Sequence, residues 1–298
     1  MTAMHALSTG AFEEHRPLLF GVAYRMLGSA AEAEDVVQDA YIRFHTARPV
    51  EVRSPRAYLI TVVTRLAMDV LRSARVRREQ YTGRWLPEPV LTVDGRGPGT
   101  PEWVVEQDES LSMAFLLLME RLSPIERAVV VLREAFDYDY HEIADVVEKS
   151  TAACRQVFHR AKQRLGERPA TEHLTPAQSA ALVVRFREAL AEGDVPAMME
   201  LIAPNATAIG DGGGWVPSGA NTVEGNDRIA RLLIGLTAKY GRGSAYSWKF
   251  GGGEANGAPA FISTDQEGRV TSVTVLETEN GRVARMFSVA NPEKLRHW

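Results

Sequence analysis

The chain has 298 residues, 45% hydrophobic and 24% charged, a composition that buries a real core and excludes a largely disordered protein. Its length suits two or three domains. Cys154 is the single cysteine, so intramolecular disulfides and cysteine-held zinc are excluded; no stretch approaches the ~18 apolar residues of a membrane span, and no secretory leader pattern opens the chain, so a reducing cytoplasm is expected.

The N-terminal part reads as helical. Leu19, Val22, Ala23, Met26 and Leu27 keep three-four spacing, as do Val36, Val37, Ala40, Tyr41 and Phe44, and the pattern resumes from Tyr58 to Leu71. Gly28 and Ser29 separate the first two helices, and Pro49 and Pro55 bracket a loop before the third. Residues 85–106 carry four prolines and three glycines and predict a linker. Trp85, Leu86, Val90 and Leu91 are too apolar for a purely flexible one, so part of it should dock. Helix returns from Trp103 to Arg121.

Ser123, Pro124 and Glu126 spell a capping box that opens the next helix. A short helix with Ile143, Ala144 and Val147 inward is followed by a turn at Glu148–Ser150 and a last helix, Thr151–Leu165, capped by Ser150. Beyond Pro169 and Pro176 the period changes. Helices are predicted at Ala177–Glu192, Val195–Ile202 and Asp227–Tyr240, then strands at Ala245–Phe250, Ala260–Thr264, Val270–Glu277 and Val283–Val289. Helices followed by an antiparallel meander imply an α+β domain. Gly251–Gly253 reads as a strand connection. The expected division is 1–84, linker 85–106, 107–168 and 169–298.

The net charge of −4 hides two basic segments. Residues 53–84 hold eight arginines against Asp69 and Glu79, a net of +6, and residues 149–164 hold five cations and no acid. Two such segments suit two contacts with a polyanion, or two solvated helix faces. In the second, Ala152, Cys154, Val157, Phe158 and Leu165 can face a core, leaving Arg155, Gln156, His159, Arg160 and Lys162 outward. A helix so equipped fits the major groove, arginine reading guanine and glutamine reading adenine, while Lys162 and Arg164 suit phosphates. An ordinary helical hairpin has the same spacing. Glu148 sits at a turn position that favours glycine, at a cost of about 1 kcal/mol. In the first segment Arg65, Asp69, Arg72 and Arg75 lie on nearby faces of one helix, and Arg53 and Arg56 precede it beside Tyr58. Guanidiniums with an aromatic neighbour suit a splayed single strand, although Tyr58 can equally pack in a core.

Together these segments resemble bacterial sigma factors of the extracytoplasmic-function class over residues 10–168. The marks are the Ala33–Ala40 block with Phe44, the Arg53–Leu59 block, Arg65–Asp69, and Glu142–Ala144 with the basic helix. The resemblance implies that Asp35, Gln38, Asp39 and Phe44 dock the β′ clamp of core RNA polymerase. It implies that Arg53, Arg56, Tyr58, Arg65, Asp69, Arg72 and Arg75 melt and read the minus-ten promoter element; Asp69 stands where many members have asparagine. Ser150, Thr151, Arg155, Gln156, His159, Arg160 and Lys162 would read the minus-thirty-five element.

A narrower likeness rests on Trp85–Val90, Asp211–Gly214 and Asn291–Leu295. It is to a subgroup carrying a fused C-terminal SnoaL-like domain, the cone-shaped fold of nuclear transport factor 2. The implied architecture is two all-α domains, the second with a helix-turn-helix, plus this α+β domain as a built-in regulator. Trp85, Pro87, Asp211, Gly212, Gly213, Gly214, Asn291, Pro292 and Lys294 are the implied regulatory contacts. Trp215 replaces the lysine usual after the glycines.

Read from the residues alone, three glycines allow a tight loop and a close backbone approach, or a plain hairpin turn. They lack the ending of a phosphate loop. SnoaL-type folds also host enzymes, so Asp211, Asp227, Glu254 and Glu277 are the carboxylates to test for acid–base work; none sits in a catalytic motif. The function expected is a transcription initiation factor, not an enzyme, with core polymerase and promoter DNA as partners and no cofactor, metal or membrane. A DNA-tethered isomerase or cyclase and a helix-turn-helix repressor are the alternatives.

Overall fold

Ser29, Ser54, Ser123, Asp139, Ser150, Thr175 and Asp194 each accept a backbone N–H at the start of a helix. A computed structural model describes residues 9–47, 54–79, 81–92, 109–167, 171–216, 221–240 and 249–298. The chain forms two compact units. The first takes in the described residues up to Glu79, Glu109 and Ser110, and those from Phe115 to 167; the second takes in residues 81–92, 111–114 and 171–298.

The first unit holds α1 (Thr9–Leu27), α2 (Ala30–Ala47) and α3 (Pro55–Glu79), which pack on one another. Gly28, at φ 66, ends α1, and Ser29 Oγ accepts from the Glu32 N–H at 3.1 Å to start α2. Leu19, Ala23, Val37, Leu59 and Val63 are buried between the three helices. After α4 (Met113–Met119) come α5 (Pro124–Glu134), α6 (Tyr140–Val147) and α7 (Thr151–Leu165). The box of Ser123 and Glu126 forms as expected. A second one, Asp139 with Glu142, opens α6, and the N–H groups of Glu142 and His141 hold the Asp139 carboxyl below the usual carboxylate range. Glu148 ends α6 in the left-handed region, φ 54 and ψ 52. Helices α1 and α3 also pack against α5, and α3 against α6.

The second unit holds α8 (Pro176–Glu192), α9 (Val195–Leu201), β1 (Ile202–Asp211), β2 (Val223–Glu224) and α10 (Asn226–Tyr240). Then follow β3 (Lys249–Ala255), β4 (Ala258–Thr264), β5 (Val270–Glu279) and β6 (Arg282–Val289). The sheet order is β2-β1-β6-β5-β4-β3. Leu182, Phe186, Met198, Ile229, Phe261 and Met286 fill the space between helices and sheet, with the Phe186 and Phe261 rings 5.0 Å apart. This is the α+β arrangement expected.

Three details differ from the sequence expectation. Strand β1 was not anticipated, and because it pairs in parallel with β6 the sheet is mixed rather than a pure meander. Gly251–Gly253 lies inside β3, paired with β4, not in a connection. A Cβ on Gly252 would lie 2.9 Å from Val183 Cγ1 of α8, so the missing side chain is what lets helix and strand approach. The helix expected from Trp103 is, in its described part, a 3-10 turn at Glu109–Leu111 followed by α4. Residues 245–248 of the first expected strand lie outside the described residues.

Candidate nucleic-acid interface and linker clasp

Spacing of three and four residues puts Asp35, Gln38 and Asp39 on one ridge of α2, and all three are exposed. Phe44 is not part of that ridge. It is 4% exposed and packs on Phe12 with ring centroids 6.1 Å apart, so it shapes the helix from within and presents no surface to a partner. The apolar group that does extend the ridge is Ile42, 59% exposed. It stands three residues after Asp39 and seven after Asp35, a helical register that could have been read from the sequence.

Between α2 and α3 runs a groove of 590 Å³ lined by Arg43, Thr46, Tyr58, Thr61, Val62 and Arg65. Tyr58 is half-buried there, neither a core residue nor a free one. Asp69 and Arg72, both exposed, pair with each other at 2.6 Å. Arg56 stacks over the Tyr138 ring at 5.7 Å, and the Arg65 guanidinium reaches the C-terminus of α6. Arg65 Nε donates to the Val146 carbonyl at 3.0 Å and Nη2 to that of Asp145 at 2.8 Å, while Nη1 lies 3.1 Å from the Glu148 carboxylate. Arg53 and the side chain of Arg75 lie outside the described residues.

On α7 the outward set is Arg155, Gln156, His159 and Arg160, all exposed. Ser150 caps the helix through the Ala153 N–H, and Thr151, half-buried, lies against His141. Lys162 and Arg164 bind back to α5, to Glu134 at 2.8 Å and Glu126 at 2.8 Å. Ala152 is exposed, contrary to expectation, and Ala161 takes the inward place. The first turns of α7 thus present guanidinium, amide and imidazole groups to solvent while the last turn anchors to α5.

In the second unit the linker folds onto the end of β1. Asp211 is fully buried and every lone-pair direction is used. Its Oδ1 accepts from Tyr81 OH at 2.6 Å and the Gly213 N–H at 3.0 Å. Its Oδ2 accepts from the Leu86 N–H at 2.9 Å and Lys294 Nζ at 2.7 Å. Lys294 also donates to the Leu86 carbonyl and sits over the rings of Trp85, at 4.3 Å, and Tyr81, at 5.0 Å. Asn291 Nδ2 donates to Tyr81 OH at 2.8 Å. Burial, then the bond to Asp211, push the Tyr81 hydroxyl well above its usual range, so it stays a donor. Pro87 and Gly212 are buried beside this cluster, and Pro292 opens the short 3-10 turn that carries Lys294. The chain's last residue joins in, Trp298 Nε1 donating to the Pro89 carbonyl at 3.0 Å.

The glycines permit the approach. Gly213 has φ +59, and a Cβ there would lie 2.4 Å from Asn291 Nδ2; Gly214 has φ +81, and a Cβ would lie 3.2 Å from Thr82. Gly213→Ala therefore meets both a backbone cost of roughly 1–2 kcal/mol and the loss of the Asn291 contact. Gly281→Ala, at φ +73 with nothing within 4 Å of its Cβ, carries the backbone cost alone. Thermal unfolding of the two variants is expected to show the larger drop for Gly213→Ala, and equal drops would refute the close-approach account. Trp215 is 68% exposed; its N–H closes the turn onto Gly212, and nothing in the structure explains its indole.

Sequence reading missed Asn256. This buried residue of the Asn256–Gly257 turn, at φ 53, exchanges bonds with Val90, accepting from its N–H at 3.0 Å and donating to its carbonyl at 3.0 Å. Its Nδ2 reaches the Leu111 carbonyl at 2.9 Å. Glu277, also fully buried, accepts from the Ala114 N–H at 2.9 Å and pairs with Arg285 at 2.8 Å. Val90, Leu111 and Ala114 are thereby held to one sheet. Asn-Gly was a legible hairpin signal; the side chain's outward partners were not. Of the four carboxylates singled out for acid–base work, Asp211 accepts four hydrogen bonds, Glu277 accepts one on each oxygen, Asp227 is half-buried and paired with Arg231, and Glu254 lends its backbone carbonyl to Thr92. Among the described residues no group of three or more His, Cys, Asp or Glu side chains could hold a metal ion, and no helix is long and apolar enough to cross a membrane.

Two family models match, Sigma-70 region 2 over residues 11–77 and Sigma-70 region 4 over residues 112–165. The chain is 37% identical over 288 residues to the ECF RNA polymerase sigma factor SigJ of Mycobacterium tuberculosis, covering 95% of this chain and 91% of that one. It is 34% identical over 236 residues to a probable ECF RNA polymerase sigma factor, SigI, of the same species, covering 78% of each. Among solved structures, the crystal structure of Mycobacterium tuberculosis SigJ superposes with a TM-score of 0.77 at 33% identity, over 97% of this chain and 99% of that one.

Proposed function

The chain belongs to the extracytoplasmic-function family of RNA polymerase sigma factors, and we propose a division of that work among its parts. The α2 ridge captures core polymerase at its clamp. The face of α3 opens and reads the minus-ten element, and α7 reads the minus-thirty-five element. The last domain sets output by holding the linker. One observation carries this reading: an acidic ridge at Asp35, Gln38 and Asp39 and a base-reading face at Arg155, Gln156, His159 and Arg160 stand exposed on different helices of one chain. A repressor has use for the second only. The protein needs no chemistry of its own, because polymerase makes the bonds, and its place is the cytoplasm, where polymerase and promoters are.

The regulatory part follows from connectivity. The two readers must span about two to three helical turns of DNA, each of roughly 34–36 Å, and residues 81–92 and 111–114 are the ends of the segment that joins them. A tethered domain meets its target at up to about millimolar effective concentration, so individually weak contacts suffice to keep those ends gathered. Run-off transcription with purified core polymerase on a promoter library tests the whole reading. Discrete starts downstream of a shared pair of elements are expected, and no product above core alone overturns it. Truncations after residues 290 and 175 are expected to change output; output identical to that of the full chain overturns the regulatory role and leaves promoter reading standing.

A further inference from the structure

Two arginines assigned above to the minus-ten surface have partners on α6 or in the loop before it. The Arg65 guanidinium takes two carbonyls from the last turn of α6 and the carboxylate of Glu148. Those carbonyls belong to the helix end that has no intrahelical donors to offer them and carries the negative pole of the helix dipole. Arg65 thus acts as a C-cap supplied from a helix some eighty residues away. Arg56 lies over Tyr138, a buried ring in the loop between α5 and α6. The second observation is backbone strain. Glu148 adopts φ 54, a left-handed conformation that glycine reaches at no steric cost. Glycine there would ease the turn and leave Arg65 without its carboxylate.

We propose that Glu148 and the C-terminal carbonyls of α6 form a latch that holds Arg65 and closes α3 against the helix-turn-helix in the free protein. The latch keeps the minus-ten face and the recognition helix from being used together until Arg65 is released. Release is favoured by anything that offers the guanidinium a better anion, a DNA phosphate foremost. The inference rests on reading α3 as the minus-ten surface. It goes beyond the linker clasp, because every residue in it belongs to the first unit.

The test uses the full chain and variants of Glu148, which is assigned no promoter contact. Cysteines introduced at exposed Ser73 and Gln163 take spin labels, while buried Cys154 stays unlabelled. Pulsed distance measurements on the parent should show a dominant short population and a minor long one. Glu148→Gly keeps the turn's backbone and removes the carboxylate. Because an exposed charge pair contributes up to about 1 kcal/mol, the open population should rise about two- to fivefold. Glu148→Lys, which places like charge beside Arg65, should raise it further. Binding of a short fluorescent single strand of mixed sequence, without polymerase, should tighten by the same factor. Unchanged distances in both variants overturn the latch, and a distance change with no gain in strand binding overturns its role in hiding the reading face. The distance measurement contains no DNA, so it stands or falls separately from run-off transcription.

Discussion

Asp211→Ala is expected to be the most destabilising single change in the second unit. It removes four accepted hydrogen bonds at once and leaves Lys294, whose side chain is 7% exposed, charged and without its carboxylate. Breaking one side of a buried pair costs about 3–5 kcal/mol. For a domain of this size that is a fall of roughly 6–20 °C in the midpoint of its thermal transition. The effect should have a spatial signature, with residues 81–92 becoming open to proteolysis while α8–α10 stay protected. The double variant Asp211→Asn with Lys294→Met separates pairing from packing. Replacing both partners by neutral groups of similar size leaves no orphan charge, and such replacements are often close to neutral. The double variant should therefore recover much of the stability lost by Asp211→Asn alone. If instead the two single losses simply add, Asp211 and Lys294 act independently and the clasp is not a coupled unit. Trp85 and Tyr81 give a second check. Lys294 lies over both rings, so Trp85→Leu keeps an apolar body but loses the ring's attraction for the ammonium, a smaller expected loss of roughly 0.5–2 kcal/mol.

This clasp was only half legible in the sequence. Its parts were, because apolar residues beside prolines in a linker, three glycines after an aspartate and a polar terminal segment are each unusual. Their meeting was not, because contacts between positions 81–86, 211 and 294 depend on a strand, β1, whose sequence hides it. Ile202–Asp211 contains Pro204 and Gly210 and shows no clean alternation, since β1 is flanked on one side by only two residues of β2 and its end is buried by the linker rather than by the core. Helices fared better. Three-four spacing located α1–α3, and the capping box located the start of α5 at Pro124, because those signals are local. The same locality explains the error at Phe44. Spacing showed that it belonged to α2, but whether it faced a partner or Phe12 of α1 required the packing of the neighbouring helix. Ile42 is the mirror case, an apolar residue whose register with Asp35 and Asp39 places it outside the buried stripe and which the fold leaves in solvent. Gly251–Gly253 shows the limit of composition, since a glycine run reads as a turn until a helix is seen to need the room.

Asp39→Arg should abolish capture of core polymerase and leave the free protein intact. Asp39 is exposed on α2, and exposed substitutions away from caps and cores usually change stability by less than about 0.5 kcal/mol, so circular dichroism and thermal melting should match the parent. Against a partner, reversing a charge replaces attraction with repulsion, worth about 2–5 kcal/mol at a close contact, or at least about thirtyfold in affinity. Gel filtration with core polymerase reads the loss directly, and binding of the variant to duplex DNA bearing the minus-thirty-five element should be unchanged, since α7 is untouched. Ile42→Ala belongs to the same experiment. An apolar side chain 59% exposed beside two acids is a natural anchor at the centre of an interface whose rim is polar. Truncating it should weaken capture by about fivefold or more without altering the salt dependence that Asp39 contributes. If Asp39→Arg still co-elutes with polymerase at parental affinity, the ridge is not the docking surface, and the repressor reading, which needs only α7, becomes the better account of the chain.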